Sequence, residues 1–140
     1  MYRKVIFPVD LTHVDHLTKA LQTALDLAIH YKAEICFVGV TGTAPSPVAH
    51  TPQEYERKLQ AFAQEQGAAH GLKSSATACI SPDPTIDTDK TLLGAIEDLG
   101  GDLVVMQTHA PKALDYIWAG HGDTIAARSK ASVFLVRAHS

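Results

Sequence analysis

Long apolar runs are missing from this chain: nothing in its 140 residues approaches the ~18 consecutive apolar positions that a membrane helix needs. Cysteine is scarce. Cys36 and Cys79 lie far apart, each inside an apolar run (ICFVGV and ATACI), and no CxxC is present. That excludes a disulfide framework and a dithiol redox motif, and leaves both thiols to be read as small buried hydrophobes. Neither sign of charge dominates. The net charge is −3, the aromatic content is 6%, and no basic stripe carries interleaved aromatics, so neither nucleic acid nor a membrane surface is an expected partner. The opening MYRKVIFPVD has neither a signal-type apolar core nor a small-residue cleavage site, which makes a cytoplasmic location the expectation. Also absent are GxxxxGK[ST], a GxGxxG after the first strand, and GxSxG. Their absence argues against an NTPase, a kinase, a dehydrogenase and a serine hydrolase. No catalytic residue is expected, and binding is the expected activity.

What is present is alternation. Residues 3–9 (RKVIFPV), 34–41 (EICFVGVT), 73–80 (KSSATACI), 102–106 (DLVVM) and 132–137 (SVFLVR) read as strands. Between the first two, Leu17, Ala20, Leu21, Ala24, Leu27 and Ala28 recur at three- and four-residue steps and predict a helix. Thr12 and Asp15 stand at capping-box spacing before it. Thr51-Pro52-Gln53-Glu54 is a helix start with a hydroxyl cap and proline at the first position, and Gly71 ends that helix. Residues 90–99 and 122–130 read as two further helices, the first stopped by Gly100-Gly101. Helix and strand thus alternate along the whole length. The expectation is one domain over residues 1–140, α/β in class, with a parallel sheet sandwiched between helices as three layers, α/β/α. Ligands of such sheets lie beyond the carboxyl ends of the strands, where strand order reverses. That rule marks Asp10, Val40 to Thr43, Pro82 to Pro84 and Gln107 to Gly122.

Several of these segments resemble the universal stress protein family, within the adenine nucleotide α-hydrolase-like group of folds. KVIFPVD resembles its first strand, EICFVGV its second, DLVVMQTHA its fourth with the turn that follows, and ASVFLVR its last. The resemblance implies a five-stranded, Rossmann-like parallel sheet, a stress-related regulatory role, and a homodimer formed through the last strand. An apolar strand at Ser132–Arg137 would otherwise leave an edge that proteins usually pair or cover. It also implies an adenine-nucleotide site for ATP or AMP, with Mg. On this chain Pro8, Val9 and Val40 would shape an adenine slot, with Asp10 beside the base or ribose. Met106, Gln107, Thr108, His109 and Ala110 would carry the turn after the fourth strand. Gly120, His121 and Gly122 would stand at the phosphates, where backbone N–H groups at a helix start can bind an anion.

The family's phosphate pattern has glycine at two leading positions, where this chain has Gln107 and Ala110. Its third glycine falls on Gly120, or on Ala119 when counted back from the last strand. Where those glycines need φ > 0, a side chain costs on the order of 1 kcal/mol per position. His109-Ala110-Pro111 resembles a variant turn that keeps a pocket without the leading glycines. Two alternatives therefore stand beside a nucleotide-binding regulator. One is a nucleotide-free dimeric module acting through protein contacts, and the other an ATP-hydrolysing enzyme of the same fold group.

The remaining candidates have plainer readings. Asp10 would equally cap the first helix. His13 and His16 share a spacing that suits a metal, but no Asp, Glu or Cys stands at a matching distance, and eight histidines make chance pairs common. They are expected at the surface or in caps, as are His30, His50, His70 and His139, with no metal. Tyr116, Ile117 and Trp118 are expected to pack on the sheet, to plug the phosphate pocket or to meet a partner subunit.

Overall fold

The computed structural model describes residues 1–45, 47–81, 88–107 and 122–137. Its elements follow the predicted alternation. In chain order they are β1 (Lys4–Pro8), α1 (Thr18–Tyr31), β2 (Glu34–Thr41), α2 (Pro52–His70), β3 (Ser74–Ile80), α3 (Thr88–Leu99), β4 (Leu103–Gln107), α4 (Gly122–Arg128) and β5 (Ser132–Val136). The strands form one five-stranded sheet in the order β3-β2-β1-β4-β5, and every pairing is parallel.

The apolar runs of β1, β2 and β4 show no polar alternation because both of their faces are covered. Val5, Phe7 and Val9, with Ile35, Phe37, Leu103 and Val105, meet α1 and α2 through Ala24, Leu25, Tyr55 and Leu59. Ile6, Cys36, Val38, Val40, Val104 and Met106 face the other way and meet Leu92, Ile96 and Ile125 of α3 and α4. These two cores on either side of a sheet make the expected α/β/α sandwich. Leu25, absent from the predicted helical stripe, is 1% exposed and belongs to the first core.

The first helix opens differently from the expectation. Residues Leu11–Leu17 wind as a 3-10 turn, and α1 proper begins only at Thr18. The cap is Asp10, whose Oδ1 accepts from the Thr12 N–H at 3.0 Å. Thr12 and Asp15 therefore form no capping box. Only two residues, Val9 and Asp10, separate the end of β1 from the turn, so the Asp10 carboxylate reaches the first free N–H before Thr12 can act as a cap. The second helix opens as predicted. Thr51 Oγ1 accepts from the Glu54 N–H at 3.0 Å, Pro52 begins the helix, and the Glu54 carboxylate accepts from the His50 N–H at 3.2 Å. That backbone bond, with Lys58 at 3.3 Å, holds the Glu54 carboxyl below the usual carboxylate range. Gly71 closes α2 at φ 65°, a left-handed conformation that glycine adopts without strain.

Asp102 has a structural role. Its two carboxylate oxygens accept from the backbone N–H groups of Arg3 and Lys4 at 2.9 and 3.0 Å. This clamp joins the starts of β4 and β1, the two strands that flank the reversal of strand order.

Candidate functional site

Among the described residues four polar or charged side chains are buried: Asp10, Thr41, Ser81 and Gln107. Each stands at or just beyond the carboxyl end of a strand, respectively β1, β2, β3 and β4. Burying a polar group costs free energy unless it finds a partner. A sheet otherwise filled with apolar side chains therefore concentrates its buried polarity on one rim. Strand order reverses between β1 and β4, the position at which open α/β sheets bind ligands. Asp10 and Gln107 flank that position.

The predicted apolar residues divide by sheet face. Val40 and Met106 pack in the second core at 2% and 1% exposure. Pro8 follows Ile6 by two residues, and strand alternation sets it on that same face. Pro8, Val40 and Met106 thus stand at or next to the ends of three adjacent strands as an apolar floor on the α3/α4 side. Val9 belongs to the opposite core. On Val9's side Tyr55 reaches in from α2 and lies against Gly39, where an added Cβ would sit 2.3 Å from the Tyr55 hydroxyl oxygen. Burial, and then the Asp10 carboxylate, push the Tyr55 phenol far above its ordinary pKa, so it stays a neutral O–H.

Asp10 serves as the cap, one of the two roles that the sequence left open. It caps the turn through Oδ1 and is 5% exposed at the switch point. Gln107 departs from expectation. It is not a loop residue but the last residue of β4, in register with Val136. Among the described residues Lys32 is the one non-glycine with positive φ, so the side chain at 107 carries none of the backbone strain expected of a displaced glycine. Its Oε1 is buried and has no hydrogen-bond partner among the described residues. Gly122 is the first residue of α4. Thr108, His109, Ala110, Gly120 and His121, with the Tyr116 to Trp118 cluster, Ala119, Pro82 to Pro84 and His139, lie outside the described residues.

Sequence reading missed three contributors. Thr41 lay inside a marked segment but was not singled out, and Ser81 directly precedes another. Their backbones join the rim, the Ser81 N–H donating to the Thr41 carbonyl at 2.9 Å. Tyr55 begins a series continued by Leu59, Ala63 and Gly67 at four-residue steps, all buried. That periodicity could have placed Tyr55 against the sheet, though not against the rim. The thiols give no reactive site: Cys36 is buried, and burial raises the Cys79 pKa. Among the described residues no three His, Cys, Asp or Glu side chains gather as a metal site. Two open cavities of about 400 and 480 Å³ lie at the opposite, amino-terminal pole, beside Asp102 and Lys130 and beside Arg3 and Lys73.

The model of the universal stress protein family matches residues 1–137. Solved structures of similar fold include a protein of that family from Burkholderia pseudomallei, at 18% identity and TM-score 0.68 with 96% of each chain covered. A universal stress protein in complex with cAMP is similar at 17% identity and TM-score 0.68, with 99% of each chain covered. A family protein from Arabidopsis thaliana with AMP bound is similar at 11% identity and TM-score 0.67, over 99% of this chain and 93% of that one. No curated protein matches.

Proposed function

From the premise that this chain belongs to the universal stress protein family, we propose that it is a single-domain regulatory protein of the cytoplasm that binds an adenine nucleotide and does not turn it over. The observation that carries this reading is the ring of buried polar side chains at the carboxyl ends of β1 to β4. In it Asp10 takes the ribose or base, and Pro8, Val9, Val40 and Met106 give the base its apolar surroundings. Gln107 stands at the end of β4, and the segment from Thr108, His109 and Ala110 through Gly120, His121 and Gly122 serves the phosphates, with Mg where the ligand is ATP. The bound cAMP and AMP of the two similar proteins support the ligand class. Among the described residues no helix is long and apolar enough to cross a membrane.

Thermal unfolding with AMP, cAMP and Mg-ATP at millimolar concentration tests the proposal. A ligand present at 100 times its Kd stabilises the folded state by about 2.7 kcal/mol, and the nucleotide should be recovered unhydrolysed. A melting temperature unmoved by all three would end the nucleotide reading and leave the nucleotide-free module. Phosphate release above a protein-free blank would instead indicate the hydrolase.

A homodimer through Ser132–Arg137 belongs to the same proposal. Strand β5 pairs with β4 on one side only, and Phe134 on it is 45% exposed. An unpaired edge bearing an exposed aromatic favours a second copy of the chain as partner. Sedimentation at micromolar concentration should give twice the chain mass, and Phe134→Asp should give one chain mass. A wild-type monomer would remove this part.

A further inference from the structure

The Gln107 side chain is a buried acceptor in search of a donor. At 8% exposure, its Oε1 has no hydrogen-bond partner among the described residues. Its neighbours along and across the sheet are apolar. Val105 shares its face one pleat back, and Val136 pairs beside it. On the other side of β4 runs β1, which it pairs at Val5–Leu103 and Ile6–Val104. Beyond Gln107 strand β4 ends, and the crevice at the reversal of strand order begins. A ligand seated in that crevice lies at the end of the strand that carries this oxygen.

We propose that Gln107 is a specificity-determining residue of the nucleotide site, its side-chain carbonyl accepting a hydrogen bond from an O–H or N–H of the ligand's nucleoside portion. The inference rests on the nucleotide reading above and narrows it. Phosphate oxygens of an ionised nucleotide only accept, so a phosphate placed here would leave Oε1 unpaired and face it with like partial charge. A ribose hydroxyl or the exocyclic amine of adenine supplies the missing hydrogen. A glycine at this point opens the backbone to phosphate, whereas a glutamine offers an amide to a neutral polar edge. Preference accordingly moves from the phosphate chain toward the nucleoside.

The chemistry predicts opposite effects on stability and affinity. Replacing a buried, unpaired polar group with an apolar one of similar shape is neutral or stabilising in the absence of ligand. The same change removes the partner that the ligand uses. Gln107→Met should therefore melt at the same or a higher temperature than wild type without ligand, while binding adenosine on the order of tenfold more weakly. Calorimetric titration of both proteins with adenosine, 2′-deoxyadenosine, 3′-deoxyadenosine and purine riboside identifies the donor. The analogue lacking it should bind the two proteins equally, and the others should favour wild type. A lower melting temperature for ligand-free Gln107→Met would mean that the amide is satisfied within the protein, and would overturn the inference. Equal adenosine affinity in the two proteins would overturn it as well, leaving nucleotide binding intact. If wild type binds neither these nucleosides nor AMP, the nucleotide reading falls and takes this inference with it.

Discussion

Phe37→Ala should lower the free energy of unfolding by about 3–5 kcal/mol. Phe37 is 0% exposed on β2, an interior strand of the sheet. Its ring meets Phe7 of β1 edge-on, with centroids 5.9 Å apart, and Phe62 of α2 in the same manner at 5.1 Å. The alanine loses the transfer free energy of the ring and both aromatic contacts, each worth about 0.5–1.5 kcal/mol beyond area burial. The void cannot close readily, because two of its walls are hydrogen-bonded strands. Urea unfolding with an unchanged m-value measures the loss. Ile29→Ala, at a half-exposed position of α1, is the control and should cost far less. A Phe37→Ala loss below about 1 kcal/mol would contradict the cavity term expected of a closely packed core.

The second large effect is expected at Gly39. Gly39→Val should destabilise by about 3 kcal/mol, the upper end of overpacking costs. A Cβ here falls 2.3 Å from the Tyr55 hydroxyl oxygen and 3.0 Å from two of its ring carbons. Tyr55 is 4% exposed, and its rigid ring cannot swing clear as a lysine tip would. Valine must displace α2 or bend β2. Gly39→Ala combined with Tyr55→Phe removes the closest contact, and a double-mutant cycle should show partial recovery. If Gly39→Val unfolds within about 1 kcal/mol of wild type, the glycine is not there to admit Tyr55.

Both substitutions concern residues that the sequence marked only as strand. EICFVGV announces a strand buried on both faces, since apolar and β-branched residues fill both periods. It does not say which face receives α2, or that Tyr55 arrives opposite the glycine, because that contact joins side chains brought together only when α2 docks. Asp102 shows the same limit. It read as the first residue of an apolar strand, whereas its carboxylate clamps the backbone of Arg3 and Lys4. The Thr12–Asp15 spacing misled for a local reason: the preceding Asp10 competes for the same N–H and is nearer the strand's end.

The sequence by itself determined the elements, their order, the layered α/β class and the rim on which function is sought. These follow from local periodicity, caps and glycine stops, all written within a few residues of each other. Only the tertiary structure decided that β1 lies between β2 and β4, and that the described buried polar side chains collect at the strand ends. It alone placed Gln107 in a strand, its acceptor unpaired among the described residues, instead of in a phosphate turn. Such facts depend on which distant segments become neighbours, and the free energy of a buried polar atom is set by those neighbours rather than by its position in the chain.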